Sequence, residues 1–174
     1  MRAPILTVLA LGLCACAGAG SRGGDAAASA HVSLAPTQGQ LARGDLELRQ
    51  DAAGVRVSGT VRGLKPGAAH GFHVHEKGDC SALDASSAGE HYNPAGATHG
   101  NPASQVHHAG DIRNIEADAS GRASVDALIE GVSIGGANDI VGRGLIVHAD
   151  PDDYTTQPSG NSGARIACGV IEAG

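Results

Sequence analysis

A chain of 174 residues is long enough for one domain with a sizeable core and short for two. Its formal net charge of −6, with no run of basic residues, argues against nucleic acid and anionic membrane surfaces as partners. With no Trp, two Tyr and one Phe, the core falls to Val, Ile, Leu and Ala, and 27 Gly favour many tight turns and an all-β chain; nine His need a use.

The first element is not part of the fold. Arg2 is a minimal positive region, and Ala3 to Leu13 is an apolar stretch too short to span a bilayer, so residues 1–15 read as a signal peptide. Leu13-Cys14-Ala15-Cys16 resembles a bacterial lipobox with Cys16 as the lipidated residue. The alternative is an ordinary secretory signal cleaved near Ala17 or Ala19, and either one exports the chain. Ala17 and Gly18, with no Asp following the cysteine, fit an outer-membrane anchor on the periplasmic side, so the expected membrane contact is through lipid alone. Residues 16–29, rich in Gly, Ala and Ser, make a flexible linker, and the folded domain is expected over 30–174.

Strand signals follow. His31-Val32-Ser33-Leu34 alternates and stops at Pro36; Leu46-Glu47-Leu48-Arg49 alternates and meets a turn at Asp51 to Gly54. Val55 to Val61 alternates and ends at Gly63-Leu64-Lys65-Pro66-Gly67. Next comes Gly71-Phe72-His73-Val74-His75-Glu76. The strand period puts His73 and His75 on one face, about 7 Å apart, with Phe72 and Val74 on the other. One face fills a core, and the other offers half of a metal site.

From Gly78 to Gly110 no periodicity is sustained. A loop of this length is normally functional or disordered, and this one carries His91, His99, His107 and His108, so a metal would supply the order that its composition cannot. Strands resume over Asp111 to Glu116, Ala123 to Ile129 and Ile140 to His148. A second loop runs from Ala149 to Gly163, and Arg165 to Ile171 closes the chain. Short alternating strands with no convincing amphipathic helix mean a β-sandwich or flattened barrel.

With two of the four cysteines in the leader, Cys80 and Cys168 are the pair left in the domain. In an exported protein they read as one disulfide rather than two buried thiols. The ligand candidates beyond His73 and His75 are His91, His99, His108, Asp111 and His148; imidazole and carboxylate donors without thiolate suit Cu, Zn, Ni or non-haem Fe.

The motifs as a set resemble the exported bacterial copper/zinc superoxide dismutases. They are Gly71 to Glu76 with Gly78-Asp79-Cys80, Ser87 to Pro94, His99-Gly100, His108-Ala109-Gly110-Asp111, Gly144 to His148, and Gly160 to Ile171. The resemblance implies an immunoglobulin-like Greek-key β-sandwich or flattened barrel of about eight antiparallel strands with two long functional loops. It implies copper held by His73, His75, His91 and His148, and zinc held by His91, His99, His108 and Asp111, with His91 bridging. By the same resemblance Asp152 links a copper-ligand His to a zinc-ligand His, Cys80 pairs with Cys168, and Arg165 stands over copper to draw in the superoxide anion. The His-x-x-Asp spacing selects His108 over His107, which is expected to be exposed; His31 and His70 lie outside the motifs and are expected at surface or loop positions.

The activity so implied is dismutation of superoxide to dioxygen and hydrogen peroxide, with His91 and Arg165 as catalytic residues, in a monomer or homodimer. A non-catalytic copper carrier on the same scaffold would be expected to lack a copper ligand or the arginine. A zinc hydrolase would need an open zinc position. The loop Tyr154 to Ala164 carries no charge, so guidance of the anion is left to Arg165 and other cations, Lys77 being the nearest in sequence.

Overall fold

The computed structural model describes residues 28–174; the signal peptide, Cys16 and nearly all of the linker lie outside the described residues. The strands are β1 (Ser29–Pro36), β2 (Arg43–Gln50), β3 (Gly54–Arg62), β4 (Ala69–His70), β5 (Phe72–His75), β6 (Ile115–Glu116), β7 (Ala123–Glu130), β8 (Gly144–His148), β9 (Arg165–Val170) and β10 (Glu172–Ala173). The helical content among the described residues is one 3-10 turn, Ser86–Ala88, so the chain is all-β.

One antiparallel sheet runs in the order β5-β8-β9-β1-β2-β3-β7 and curls on itself, with β10 paired to β1 and β4 paired to β6. After the β1-β2-β3 meander the chain crosses to the far edge to form β5, then returns to lay β7 against β3, which is a Greek-key path. Alternation in β1 and β2 is read out directly: Ala30, Val32, Leu34, Leu46 and Leu48 point inward and their neighbours outward.

The core is mainly aliphatic, with Leu48, Val55, Val57, Ile129, Ile140, Leu145 and Ile171 among its fully buried members and the rings of Phe72 and Tyr92 beside them. β5 is buried on both faces. Phe72 and Val74 enter the main core, while His73 and His75 face the opposite way under the long loops. A second, smaller cluster of Ala85, Ala88, Ile146 and Cys168 packs the first loop onto the other side of β8 and β9.

Two predicted strands are shorter than their hydrophobic patterns. The stretch from Asp111 yields only β6, because Asp111 N closes a turn onto His108 O and Asn114 N bonds the Tyr154 hydroxyl. The stretch from Ile140 becomes strand only at Gly144, because Arg143 N turns back onto Ile140 O.

Cys80 and Cys168 form the disulfide, with Cα atoms 5.8 Å apart across 88 residues of chain. Closing a loop of that length removes roughly 4–5 kcal/mol of unfolded-state entropy. The Cys80→Ser/Cys168→Ser protein, unfolded in urea with chelator present, should lose about 4 kcal/mol of stability against the oxidised metal-free protein. Equal midpoints would show that the bridge does not stabilise the fold.

Candidate metal centre

The centre is built on β5, which is hydrogen-bonded along both edges. One edge pairs with β8, with His73 opposite Ile146 and His75 opposite Gly144. The other edge is taken by the long loop. Val74 N donates to Gly110 O at 2.9 Å, Tyr92 N donates to Val74 O at 2.8 Å, and Gly110 N donates to Tyr92 O at 2.8 Å. This triangle sets His91 opposite His75 and Asp111 opposite His73. Gly110 is required there, since a Cβ would collide with the Val74 carbonyl.

The second loop supplies Asp152. Its backbone is clamped by Asn114, whose Oδ1 accepts from Asp152 N and whose Nδ2 donates to Asp152 O, both at 2.9 Å. Gln157 does the same for His99: Oε1 accepts from His99 N at 3.0 Å and Nε2 donates to His99 O at 2.9 Å. Two side-chain amides thus join the loops around the ligands. Gly160, at φ +69°, passes so close to Asp152 that a Cβ would meet its carboxylate.

Two groups of donor atoms result, each lying within 4.8 Å of one another: His73, His75, His91 and His148, and His91, His99, His108 and Asp111. All seven residues are buried. In the first group the outer nitrogens fix the tautomers. His75 Nδ1 donates to Gly89 O at 2.9 Å, His148 Nδ1 donates to Gly163 O at 3.2 Å, and His73 Nε2 donates to Asp152 Oδ2 at 2.8 Å. The inner atoms, His73 Nδ1, His75 Nε2 and His148 Nε2, are therefore bare lone pairs, and with His91 Nε2 they are buried without a hydrogen-bond partner. Four unpartnered nitrogens in one place need a cation. An irregularity in β8–β9 pairing sets His148 opposite Arg165 and helps aim it into the group.

The second group repeats the argument. His99 Nε2 donates to Asp152 Oδ1 at 2.9 Å, which leaves Nδ1 as an acceptor. That nitrogen lies 3.0 Å from Asp111 Oδ2 yet lacks hydrogen-bond geometry: two acceptors face one another. His91 Nδ1 is 2.8 Å from Asp111 Oδ1, and His108 Nδ1 is 3.4 Å from His91 Nδ1. Three imidazoles and one carboxylate at this spacing suit a four-coordinate divalent ion, and the first all-imidazole group suits copper.

Electrostatics agree. Burial, reinforced for His75 and His148 by neighbouring imidazoles, lowers His73 to about 4, His75 to about 2 and His148 to about 3, so all three are neutral at pH 7, as ligands must be. Burial would lower His99 too, but the Asp111 and Asp152 carboxylates outweigh it and raise it to about 9; in a metal-free protein a proton takes the cation's place. Burial pushes Asp111 and Asp152 upward, and contacts with His91 and His99, and with His73 and His99, hold both far below the usual carboxylate range.

Arg165 is half-buried beside the first group. Nη1 donates to Ala85 O at 2.7 Å and Nη2 to Gly89 O at 2.6 Å, the carbonyl that also accepts from His75. Lys77 does not stand free: Nζ lies 3.6 Å from Glu76 Oε1 on the exposed rim.

His31 is exposed, and half-buried His107 joins neither group, donating instead to His108 O at 2.7 Å. His70 departs from expectation. It is buried, and its Nδ1 donates to His148 O at 2.8 Å, supporting a residue of the first group from behind. Its position directly before Gly71 on the metal-bearing stretch was the available signal. Asn114 and Gln157 gave none, since an amide in a polar loop is unremarkable until its partner is known.

The sequence profile described as "Copper/zinc superoxide dismutase (SODC)" matches residues 42–171. The chain is 39% identical over 153 residues to "Superoxide dismutase [Cu-Zn]" of Onchocerca volvulus, covering 82% of this chain and 96% of the relative. It is 42% identical over 137 residues to "Extracellular superoxide dismutase [Cu-Zn]" of Brugia pahangi, covering 74% and 68%. Among solved structures it is similar to a SOD-like protein from Bacillus subtilis, with a TM-score of 0.73 and 39% identity over 80% of this chain and 96% of that one. A double mutant of that protein aligns with a TM-score of 0.74 at 40% identity, covering 82% and 96%.

Asp152 lies outside both groups and is bonded to a member of each, His73 and His99. In Asp152→Asn one carboxylate acceptor becomes an N–H donor facing an imidazole N–H. Affinity for zinc, measured by competition with a chromophoric chelator, should fall roughly 10–100-fold with the β fold retained by circular dichroism. Unchanged affinity would show that Asp152 does not orient the ligands.

Proposed function

Since the chain belongs to the copper/zinc superoxide dismutase family and converts superoxide to dioxygen and hydrogen peroxide with copper and zinc as cofactors, we propose how its residues divide that work. His73, His75, His91 and His148 hold copper, and His91, His99, His108 and Asp111 hold zinc. The observation that carries this assignment is the convergence of four buried, unpartnered imidazole nitrogens on one point, three of them in tautomers fixed from outside.

Copper held there supplies the one-electron redox change that oxidises one superoxide and reduces the next, while zinc supplies fixed charge. His91 is common to both sets and presents a nitrogen to each, so His91 Nε2 is the atom placed to hold and give up the proton that peroxide needs. His73 and His99 are held by opposite oxygens of one carboxylate, so Asp152 keeps the two sets in a fixed relation. Arg165 keeps its charge at any working pH and, anchored by two carbonyls, presents a guanidinium to the entering anion. All four copper-set histidines and Arg165 are present, which favours an enzyme over a copper carrier.

The disulfide and the extracellular relative point to an exported protein. The proposed anchor is a lipid on Cys16, tethered through residues 16–29 on the periplasmic side of the outer membrane.

Dismutation, followed by xanthine oxidase and cytochrome c, should require copper. His148→Ala should abolish it while zinc content, by elemental analysis, stays at about one per chain; full activity without copper would sink the assignment. Mass spectrometry of membrane-extracted protein should find a diacylglyceryl group on an N-terminal Cys16, and Cys16→Ser should release soluble protein. A wild-type N-terminus that is unmodified and lies beyond Cys16 would reject the anchor.

A further inference from the structure

The register of the sheet sets three arginines side by side. Arg43 is directly opposite Arg62 in the β2–β3 pair, and Val61 opposite Ala123 in the β3–β7 pair puts Arg122 next to Arg62 on its other side. All three are exposed on the outward face of the sheet, and Arg122 Nη2 donates to Thr60 Oγ1 at 3.0 Å on that same face. Like charges directly opposite one another destabilise a sheet. At the other end of the same strands Arg49 faces Arg56, and there Asp126 pairs with Arg56 at 2.7 Å. Among the described residues no carboxylate lies within ion-pair distance of Arg43, Arg62 or Arg122. Two carboxylates share this end of the sheet and are turned to local contacts. Asp45 accepts from Ser33 Oγ at 2.9 Å, and Asp118 accepts from Ser120 N and Arg122 N in its own turn. Lys65, in the turn after β3, adds a fourth exposed cation, and Leu41, 71% exposed, stands beside the row with its carbonyl against Gly63.

We propose that this end of the sheet is a docking surface for an anionic phospholipid membrane, with Arg43, Arg62 and Arg122 meeting lipid phosphates. A guanidinium binds phosphate through two parallel N–H groups, so the row presents three such forks in a line. The row is spread over open sheet surface, which suits an array of phosphates better than one enclosed anion. Leu41 favours lipid over a soluble polyanion, because a bilayer offers an apolar boundary just beneath its headgroups. The three arginines come from separate stretches of chain, so no basic run betrays them in the sequence. The net charge of −6 does not oppose the contact, since carboxylates more than about 8–10 Å away are screened. This contact is separate from the lipid proposed on Cys16 and does not rest on it.

The test uses the metal-loaded soluble protein released by Cys16→Ser, so that no acyl chain holds it to a bilayer; if Cys16 proves unmodified, the wild type serves. The readout is co-sedimentation with phosphatidylcholine vesicles made with and without phosphatidylglycerol. At low salt the protein should bind only the vesicles that contain phosphatidylglycerol, and high salt should release it. A basic side chain at an anionic surface contributes about 1 kcal/mol, so Arg62→Gln should weaken binding about fivefold. The triple variant Arg43→Gln/Arg62→Gln/Arg122→Gln should weaken it roughly a hundredfold, with dismutation unchanged. Arg49→Gln removes the same charge about 20 Å away along β2, beyond a Debye length, and should change binding less than about twofold. Equal binding to vesicles without phosphatidylglycerol, or a triple variant that binds like its parent, overturns the proposal. So does a loss in Arg49→Gln equal to that in Arg62→Gln, since bulk charge would then be responsible. Binding to duplex DNA with none to the vesicles would assign the row to another polyanion and overturn it as well.

Discussion

Val74 gives both of its backbone groups to a loop that begins only a few residues after it, and the rest of the site depends on that gift. A strand at the edge of a sheet exposes a row of unpaired N–H and C=O groups, which ordinarily invites pairing with another chain. Here the row is filled by Tyr92 and Gly110. The same bonds place His91 and Asp111 beside β5 at the spacing of paired strands, with a two-residue period already holding His73 and His75 on that face. Because Phe72 and Val74 are locked into the aliphatic core on the other face, a one-residue slip of β5 would bury the histidines among Leu and Ile and expose the ring. Hydrophobic burial thus fixes the register, and the register fixes the ligands.

The ligands are oriented by what lies behind them. Each imidazole has one donor and one acceptor, so tying the outer nitrogen to a fixed acceptor turns the inner one into a lone pair. Gly89 O, Gly163 O and Asp152 do this for His75, His148 and His73. The arrangement leaves acceptors facing acceptors inside a buried site, as His99 Nδ1 does Asp111, and these are costly unless a cation sits among them. The long loops share this dependence. They have little regular structure of their own and are ordered by clamps onto the ligands, Asn114 on Asp152 and Gln157 on His99.

Much of this was legible in the sequence, and the exceptions have a common cause. Alternation in β1, β2, β3 and β7 reports burial on one face, so those strands were readable. His-Val-His carried both the strand and the site for the same reason. The stretch after Asp111 looked like strand because Ile112 and Ile115 are buried, yet its backbone bonds go to a turn and to a tyrosine hydroxyl. Periodicity sees side chains and not hydrogen-bond partners. His70 looked idle for a related reason: its partner, the His148 carbonyl, is 78 residues away. Lys77 was the nearest cation in sequence, and its Nζ lies 3.6 Å from the Glu76 carboxylate, a contact that adjacency in sequence does not by itself settle.

The disulfide belongs to this machinery as much as to stability. β9 grips the first loop twice: Cys168 through its bond to Cys80, and Arg165, three residues earlier, through the carbonyls of Ala85 and Gly89. Between those grips Ala85 and Ala88 pack on Ile146 and Cys168, so the loop segment is fixed by covalent, polar and apolar contacts together. Gly89 O is the point where these constraints meet the candidate metal centre, since it accepts from both Arg165 and His75 of the first histidine group. A shift of this segment would move the guanidinium and turn the imidazole at once. The placing of the guanidinium and of the imidazole therefore rests on one carbonyl, and a bridge closing 88 residues of chain is the fixture that keeps the carbonyl in place.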